Sequence, residues 1–182
     1  MPTHNAIDVQ AVNPAAFAPF GWILGKPFPT GENAAAFHNR AIDFWTEHLF
    51  DPGPEGEVEV LWVRYRDTER IVGTLEVHRF TQQAVVPLTA DIVQILATSK
   101  SDGSPDLTTL SAFRLPPGIG VCMRPGSWHT TRAVRKEATC LMLTRRSTTA
   151  DLIGHLNYGR AVTESAFAEI SPVRLLQPAA DG

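Results

Sequence analysis

Turn-forming residues divide the middle of this sequence into short segments, and that division limits the folds open to it. Prolines and glycines separate runs rich in β-branched and aromatic residues, of which Val58–Tyr65 is the clearest. Many short strands between turns are typical of an antiparallel β-sandwich or β-barrel. The other runs are Thr74–Phe80, Gln83–Leu88, Asp91–Ala97, Thr108–Leu115, Gly120–Met123 and Thr139–Thr144. The sequence therefore predicts a mainly β fold, an antiparallel β-barrel with a few peripheral helices.

The residues on either side of these runs have other patterns. Asn13 before Pro14 is a favourable helix start and predicts a short helix there. Residues 25–56 are rich in glycine and proline, and we expect a lid or an arm crossing to a partner subunit. Two helices are predicted at Thr149–Tyr158 and Thr163–Ile170. The expected organisation is one domain, 1–182, with an N-terminal arm at 1–56, the barrel at 57–146 and a helical tail at 147–182.

Composition excludes several classes of protein. Hydrophobic residues make up 43% of the 182 residues and the net charge is −3, which gives no electrostatic footprint for nucleic acid or an anionic membrane. No apolar run approaches the roughly 20 residues of a membrane span, and the N-terminus lacks a signal-peptide pattern. Cys122 and Cys140 have neither metal-pair nor disulfide-framework spacing. We therefore expect a globular, cytoplasmic protein.

Glu76 and His78 form the first candidate site. Residues two apart in a strand share a face, so both side chains can project into the barrel. Gln82 or Gln83 would join them if the next strand folds back as a hairpin. The alternative is that Glu76 and His78 lie on a solvated outer face, which is the more common position for an isolated pair of this kind.

A second cluster favours the inward orientation. Pro125-Gly126-Ser127-Trp128-His129 matches the P-G-x-x-H pattern of the second cupin motif, in which a turn precedes an inward-pointing histidine. The segment Gly73–Gln83 resembles the first cupin motif, G-(x)5-H-x-H-(x)3,4-E. Glu76 replaces the first histidine, a glutamine replaces the glutamate, and the first spacing is shorter. Together the two motifs predict a cupin-like barrel.

Longer stretches resemble one enzyme family. Leu75–Leu88 resembles the stretch L-E-R-H-P-x-G-x-Q-A-F-I-P-L of the ureidoglycolate lyases, and Gly120–His129 resembles their G-V-x-Y-x-x-x-x-W-H-H-P stretch. Ala16–Gly21 and Pro105–Phe113 are also similar, so the resemblance covers residues 14–145. These are cupin-fold enzymes of purine and allantoin catabolism that split ureidoglycolate into glyoxylate and urea.

The sequence departs from that family at several positions. Met123 stands where the family has tyrosine, Thr130 and Thr131 replace its second histidine and proline, and an aspartate is missing at Thr144–Arg146. A divergent relative acting on another small 2-hydroxy acid is therefore an alternative.

The resemblance implies a carbon–nitrogen lyase with named roles for its residues. His78 and His129 would act as base and acid, in either order, and Glu76 would orient them. Gln83 would donate a hydrogen bond, and Arg145 or Arg124 would hold the substrate carboxylate.

The sequence is compatible with a divalent metal ion at the same site and also with a site that has no metal. Glu76, His78, Gln83 and His129 could ligate Mn²⁺, Fe²⁺, Ni²⁺ or Zn²⁺, or form an acid–base pocket without metal. The alternatives to a lyase are a metal-dependent cupin dioxygenase or isomerase and a non-catalytic small-acid-binding cupin. We expect a small carboxylic acid as substrate, no nucleic acid or membrane partner, and a homodimer, since open barrels leave edge strands.

Neighbouring residues receive structural roles. Trp128 should point away from His129 and pack in a core, as alternation along a strand requires. We expect Arg132, Arg135 and Lys136 to form a solvated hairpin, and the remaining histidines to lie at the surface or in packing positions.

Overall fold

The computed structural model describes residues 5–30 and 35–176, which contain thirteen strands and two helices. In chain order the elements are β1 Asn5–Ala11, α1 Pro14–Phe17, β2 Gly21–Leu24, β3 Ala36–His38, β4 Asp43–Trp45, β5 Val58–Tyr65, β6 Ile71–His78, β7 Gln83–Pro87, β8 Ile92–Ser99, β9 Pro105–Leu115, β10 Gly120–Met123, β11 Trp128–Ala133, β12 Ala138–Arg145, α2 Arg146–Tyr158 and β13 Ser165–Leu176. The structure thus confirms a mainly β fold with few helices.

The strands form two large sheets. Six of them close into a barrel in the order β1-β13-β6-β11-β8-β9, and five form a second sheet in the order β2-β10-β7-β12-β5. β1 lies parallel to both of its neighbours, pairing first with β13 and then with β9. The other pairs in these sheets are antiparallel. The predicted cupin-like barrel is therefore confirmed, with a parallel closure at β1.

Alternation along β8 shows that the molecule has two apolar cores. Ile92 and Leu96 face a core shared by both sheets, in which Phe17 and Phe113 pack edge to face at 5.4 Å. Val93 lies on the opposite face of β8, in a core built from residues of the six-stranded barrel alone. Because both faces of β8 are buried, its sequence is a nearly continuous apolar run.

Two of the three predicted helices are present. Asn13 caps α1 by accepting a hydrogen bond from the backbone N–H of Ala16 at 2.9 Å. Helix α2 covers the predicted Thr149–Tyr158 and ends at Gly159, whose φ of 65° suits glycine. Within the described residues, no helix is long and apolar enough to cross a membrane.

The predicted helix at Thr163–Ile170 is wrong. Strand β13 begins at Ser165 and pairs with β6 and β1, so the tail completes the barrel instead of lying outside it. Pairing with two neighbouring strands outweighs the helical spacing of its alanines and apolar residues. At the other end, β1 and β2 belong to the two sheets. The predicted barrel limits of 57–146 were therefore too narrow on both sides.

The segment predicted as a lid or arm lies partly against the second sheet. Its described part contains the β3–β4 hairpin and no helix, while residues 31–34 lie outside the described ranges. The ring of His48 stacks on Trp22 at 4.3 Å and its Nε2 atom is 2.9 Å from Oε1 of Gln82. The backbone N–H of Asp51 donates to the same oxygen at 3.0 Å. Its lid or arm role and the homodimer stay predictions.

Candidate active site

Two neighbouring strands bring the motif residues together. Glu76 and His78 lie two residues apart on β6, and His129 on β11 pairs directly with Glu76. One ligand atom of each side chain lies within 4.8 Å of the others, and the two imidazole rings are 5.0 Å apart. The turn at Pro125-Gly126 precedes β11 as the motif requires. These three residues form the centre of the candidate site.

The site lies between the two sheets. Gln83 begins β7 in the second sheet, and its amide nitrogen is 3.0 Å from Nε2 of His78 in the first sheet. Trp128 points to the opposite face of β11, where it packs in the core of the six-stranded barrel and donates to Gly103 O at 3.1 Å. The expected packing position of Trp128 is confirmed.

His129 presents an unpartnered nitrogen to the site. Its Nδ1 atom is 2.9 Å from the carbonyl oxygen of Ser127, and because a carbonyl only accepts, Nδ1 carries the hydrogen. In the neutral ring the lone pair then lies on Nε2. This nitrogen is buried, has no hydrogen-bond partner among the described residues, and lies 3.4 Å from Oε1 of Glu76. Two facing acceptors require a shared proton or a cation between them.

His78 is held on both ring nitrogens. The amide N–H of Gln83 donates to Nε2, which leaves the hydrogen on Nδ1, 3.1 Å from Oγ of Ser165. Burial and the neighbouring His129 side chain lower the pKa of His78 to about 4, although Glu76 opposes this. His78 is therefore neutral at pH 7.

Glu76 is ionised beside this neutral ring. Burial alone would raise the pKa of Glu76, but the contact with His129 and the electrostatic interaction with both histidine side chains outweigh it and lower the pKa. The side chain remains 34% exposed, so part of it is reached from solvent. The site thus combines an ionised carboxylate, a neutral histidine and an imidazole lone pair.

Neither arginine expected to hold a carboxylate contacts these three residues in the described structure. Arg145 donates from Nη1 to the carbonyl of Pro54 at 3.0 Å, from Nε to Ser147 at 2.7 Å, and lies 3.6 Å from Glu164. Arg124 lies over the ring of Trp22 at 4.0 Å. Each guanidinium instead contacts a neighbouring loop or strand.

A group of buried and half-buried residues beside the site was not predicted from the sequence. Thr131, two residues after His129, donates to Oε1 of the fully buried Gln94 at 2.9 Å. The Gln94 amide in turn lies 3.6 Å from the sulfur of Met123. Burial raises the pKa of Tyr65, despite a hydrogen bond to Thr131. Thr131 could have been predicted, because it lies two residues after His129 and therefore shares its face of the strand. Gln94 could not, because it lies inside an apolar run.

A cleft of about 340 Å³ reaches Glu76 from the surface. Arg132 lines this cleft with a side chain only 12% exposed, 3.2 Å from the carboxylate of Asp67. The expected solvated position of Arg132 is therefore wrong, because an ion pair with the loop before β6 draws its side chain inward. The lining residues are Asp67, Gly73, Thr74, Leu75, Glu76, Thr130, Arg132 and Phe167.

Solved structures of distant sequence share parts of this architecture. A dTDP sugar isomerase from Desulfovibrio desulfuricans G20 aligns with a TM-score of 0.46 and 11% identity over 82% of this chain and 85% of its own. A dTDP-4-dehydrorhamnose 3,5-epimerase from Elizabethkingia anophelis aligns with a TM-score of 0.39 and 10% identity, over 60% of this chain and 64% of its own. The oxalate decarboxylase of Bacillus subtilis, which has Mn(II) centres, aligns at 0.36 and 9%, over 64% of this chain and 33% of its own. The chain thus spans less than two thirds of the latter two.

Sequence comparison gives a clearer result. No curated protein matches the chain significantly. The family model for ureidoglycolate lyase, however, matches residues 4–163, which include Glu76, His78, Gln83 and His129. That match covers most of the 182 residues. The chain belongs to the ureidoglycolate lyase family.

Proposed function

We propose that this protein is a carbon–nitrogen lyase acting on a small 2-hydroxy acid that carries a ureido group. Ureidoglycolate, cleaved to glyoxylate and urea in allantoin catabolism, is the first candidate substrate. The observation that carries the proposal is the unpartnered Nε2 of His129, facing the ionised Glu76 in a member of this family.

The reaction needs a proton moved from oxygen to nitrogen. A base removes the hydroxyl proton, the C–O bond becomes a carbonyl, and the C–N bond breaks with its electron pair going to nitrogen. That nitrogen must then gain a proton to leave as urea. One group that first accepts and then donates a proton satisfies both requirements without net proton uptake.

His129 fits that role best. Its Nε2 lone pair is available, and the Ser127 carbonyl fixes the ring orientation through Nδ1. The adjoining carboxylate of Glu76 would stabilise the imidazolium formed when His129 takes up the hydroxyl proton. Both ring nitrogens of His78 are held, by Gln83 and by Ser165, so we assign His78 to positioning the site.

The same side chains fit a divalent metal ion. The orphaned Nε2 of His129, the carboxylate of Glu76 and the ring of His78 would hold it, with Gln83 at the margin. The hydrogen bond from Nδ1 of His129 to a backbone carbonyl is the usual support of a metal-binding histidine. When bound, the ion would polarise substrate oxygens. Gln83 donates its amide N–H to Nε2 of His78, so the amide would have to rotate to free that nitrogen for the ion and to offer its own oxygen.

Steady-state kinetics on ureidoglycolate and a panel of ureido- and amino-substituted 2-hydroxy acids test the proposal, with urea or ammonia release as readout. We expect turnover of at least one ureido acid. The metal content of the same preparation should be measured, so that activity can be related to bound metal. A kcat/KM above about 10⁴ M⁻¹s⁻¹ for ureidoglycolate would identify it as the dedicated substrate. A weaker value with faster turnover of another ureido acid would identify a divergent relative. No turnover across the panel, with or without added Mn²⁺, Ni²⁺ or Zn²⁺, would overturn the proposal.

A further inference from the structure

We infer that Glu59 and Thr144 form a subsite on the second sheet that binds the ureido group of the substrate. The inference rests on the proposed function for the identity of the ligand as a ureido acid. It gives a ligand to two polar side chains that the proposed reaction does not use, and it makes both residues determinants of substrate specificity.

Glu59 and Thr144 face the space between the two sheets. Glu59 lies two residues before Leu61 on β5, and Leu61 packs against the core shared by both sheets. Thr144 lies two residues after Met142 on β12, and Met142 belongs to the same core. Because alternate residues of a strand share a face, both polar side chains are on the face directed to the first sheet. Glu59 and Thr144 also lie directly opposite each other in the β5–β12 pair.

The strand register connects this pair of residues to the candidate active site. Leu143 on β12 pairs with Ala84 on β7, so one step further along both strands Thr144 lies beside Gln83. Inward side chains that are directly opposite in an antiparallel pair have Cβ atoms about 4.5–5.5 Å apart. The amide nitrogen of Gln83 in turn lies 3.0 Å from Nε2 of His78. The pair therefore belongs to a continuous row of polar side chains that ends at the two histidines.

Three buried atoms on these facing sheets have no hydrogen-bond partner in the part of the chain that the structure describes. They are Oε1 of Glu59, Oγ1 of Thr144 and Nε2 of His129. Thr144 and His129 are each only 3% exposed. Buried polar groups are almost always hydrogen-bonded, and burial of a carboxylate oxygen without a donor costs free energy. A ligand that brings N–H donors to Glu59 and Thr144 would remove that cost.

A ureido group supplies the matching chemistry. Its terminal amino group offers two N–H donors to the carboxylate of Glu59, and its carbonyl oxygen accepts from the hydroxyl of Thr144. The reacting carbon carries both the hydroxyl and the ureido nitrogen, so a substrate with its hydroxyl at His129 on the first sheet can direct its ureido group to the second sheet. The negative charge of Glu59 also repels the substrate carboxylate, which favours the ureido end at this subsite.

Binding of two uncleavable acids tests the inference apart from turnover. Ureidoacetate has the carboxylate and the ureido group but lacks the hydroxyl that cleavage requires. N-acetylglycine has a methyl group in place of the terminal amino group and is otherwise matched. By isothermal titration calorimetry the wild-type protein should bind ureidoacetate about 10- to 100-fold more tightly than N-acetylglycine, because its amino group donates to a charged acceptor. Glu59→Gln should remove most of this preference by weakening ureidoacetate binding, with N-acetylglycine binding unchanged.

Glu57→Gln is the matched control for Glu59→Gln. It removes the same charge two residues earlier, at a side chain that is 73% exposed and paired with Arg146, so the wild-type preference should remain. Because Glu59→Gln removes a buried charge whose Oε1 has no donor, its free energy of unfolding should equal or exceed that of wild type. A loss of stability in Glu59→Gln with the preference retained would show that Glu59 is structural and would contradict the inference.

Thr144→Val provides a second, independent variant. It keeps the shape of the side chain and removes only the hydroxyl, so ureidoacetate binding should weaken by about two- to tenfold. If wild type does not prefer ureidoacetate, or if both Glu59→Gln and Thr144→Val retain the preference, the inference is wrong even where ureidoglycolate is turned over. A preference that depends on Glu59 without turnover of any ureido acid would instead reject the proposed function and leave the ureido subsite standing.

Discussion

Trp128 and His129 are neighbours on one strand and lie in opposite environments. The indole of Trp128 packs with Leu75 and Val77 in the core of the six-stranded barrel, and its only polar atom donates to Gly103 O. The imidazole of His129 faces the second sheet with a buried nitrogen that has no hydrogen-bond partner in the described residues. The same strand therefore supplies stability on one face and chemistry on the other. Substitutions at these two positions should separate the two properties.

His129→Ala should have the largest effect on activity and a smaller effect on stability. Loss of a positioned acid–base group typically costs about 10²- to 10⁴-fold in rate, and we expect kcat/KM to fall by that range. The free energy of unfolding should fall by about 1–3 kcal/mol, because truncation removes the hydrogen bond from Nδ1 to Ser127 and leaves a small cavity at a buried position. Parallel kinetics and urea denaturation measure both. Activity within tenfold of wild type would remove His129 from the mechanism.

Trp128→Ala should show the reverse pattern. Truncating a buried aromatic residue typically costs about 3–5 kcal/mol in unfolding free energy, and we expect a loss in that range. At a temperature where the variant remains folded, kcat/KM should stay within about tenfold of wild type. Trp128→Phe is the matched control, since it keeps most of the packing and loses only the bond to Gly103. A loss of activity in folded Trp128→Phe would show that the two faces are not independent.

The alternation of side chains along β6 and β11 explains which site residues could be predicted from the sequence. The spacing of Glu76 and His78 and the turn before His129 are local, so the three central residues and their shared face followed from the sequence. Arg132 was misplaced because its environment depends on Asp67, 65 positions earlier, and on the separation of β6 from β11. Neither feature has a local signal.

Strand β13 was missed for a related reason. Its residues carry small and apolar side chains at spacings that suit a helix as well as a strand, and pairing with β6 decides between them. Gln94 was missed because both faces of β8 are buried, which hides a polar residue in an apolar run. In each case the deciding partner is distant in sequence.

Asp151 lies in a third region, the contact between α2 and the start of β13, which belongs to neither face of β11. A substitution there should have the smallest effect. This carboxylate on α2 accepts hydrogen bonds from the backbone N–H groups of Thr163 and Glu164 at 3.0 Å, and so ties the helix to the start of β13. Slight burial would raise the pKa of Asp151, but these hydrogen bonds outweigh it and lower the pKa.

A folded-state pKa below the unfolded value of about 3.9 stabilises the fold above that pH, and the contribution disappears as pH falls through the folded-state pKa. Asp151→Asn keeps an acceptor oxygen and removes the charge. We therefore expect it to lower the free energy of unfolding at pH 7 by less than about 1 kcal/mol, with kcat/KM unchanged. Thermal unfolding of both proteins at pH 7 and below pH 3 measures the effect, and the difference should shrink at the acid end. A difference that is equal at both pH values would mean that the amide disturbs the α2–β13 contact sterically, because the charge would then contribute nothing.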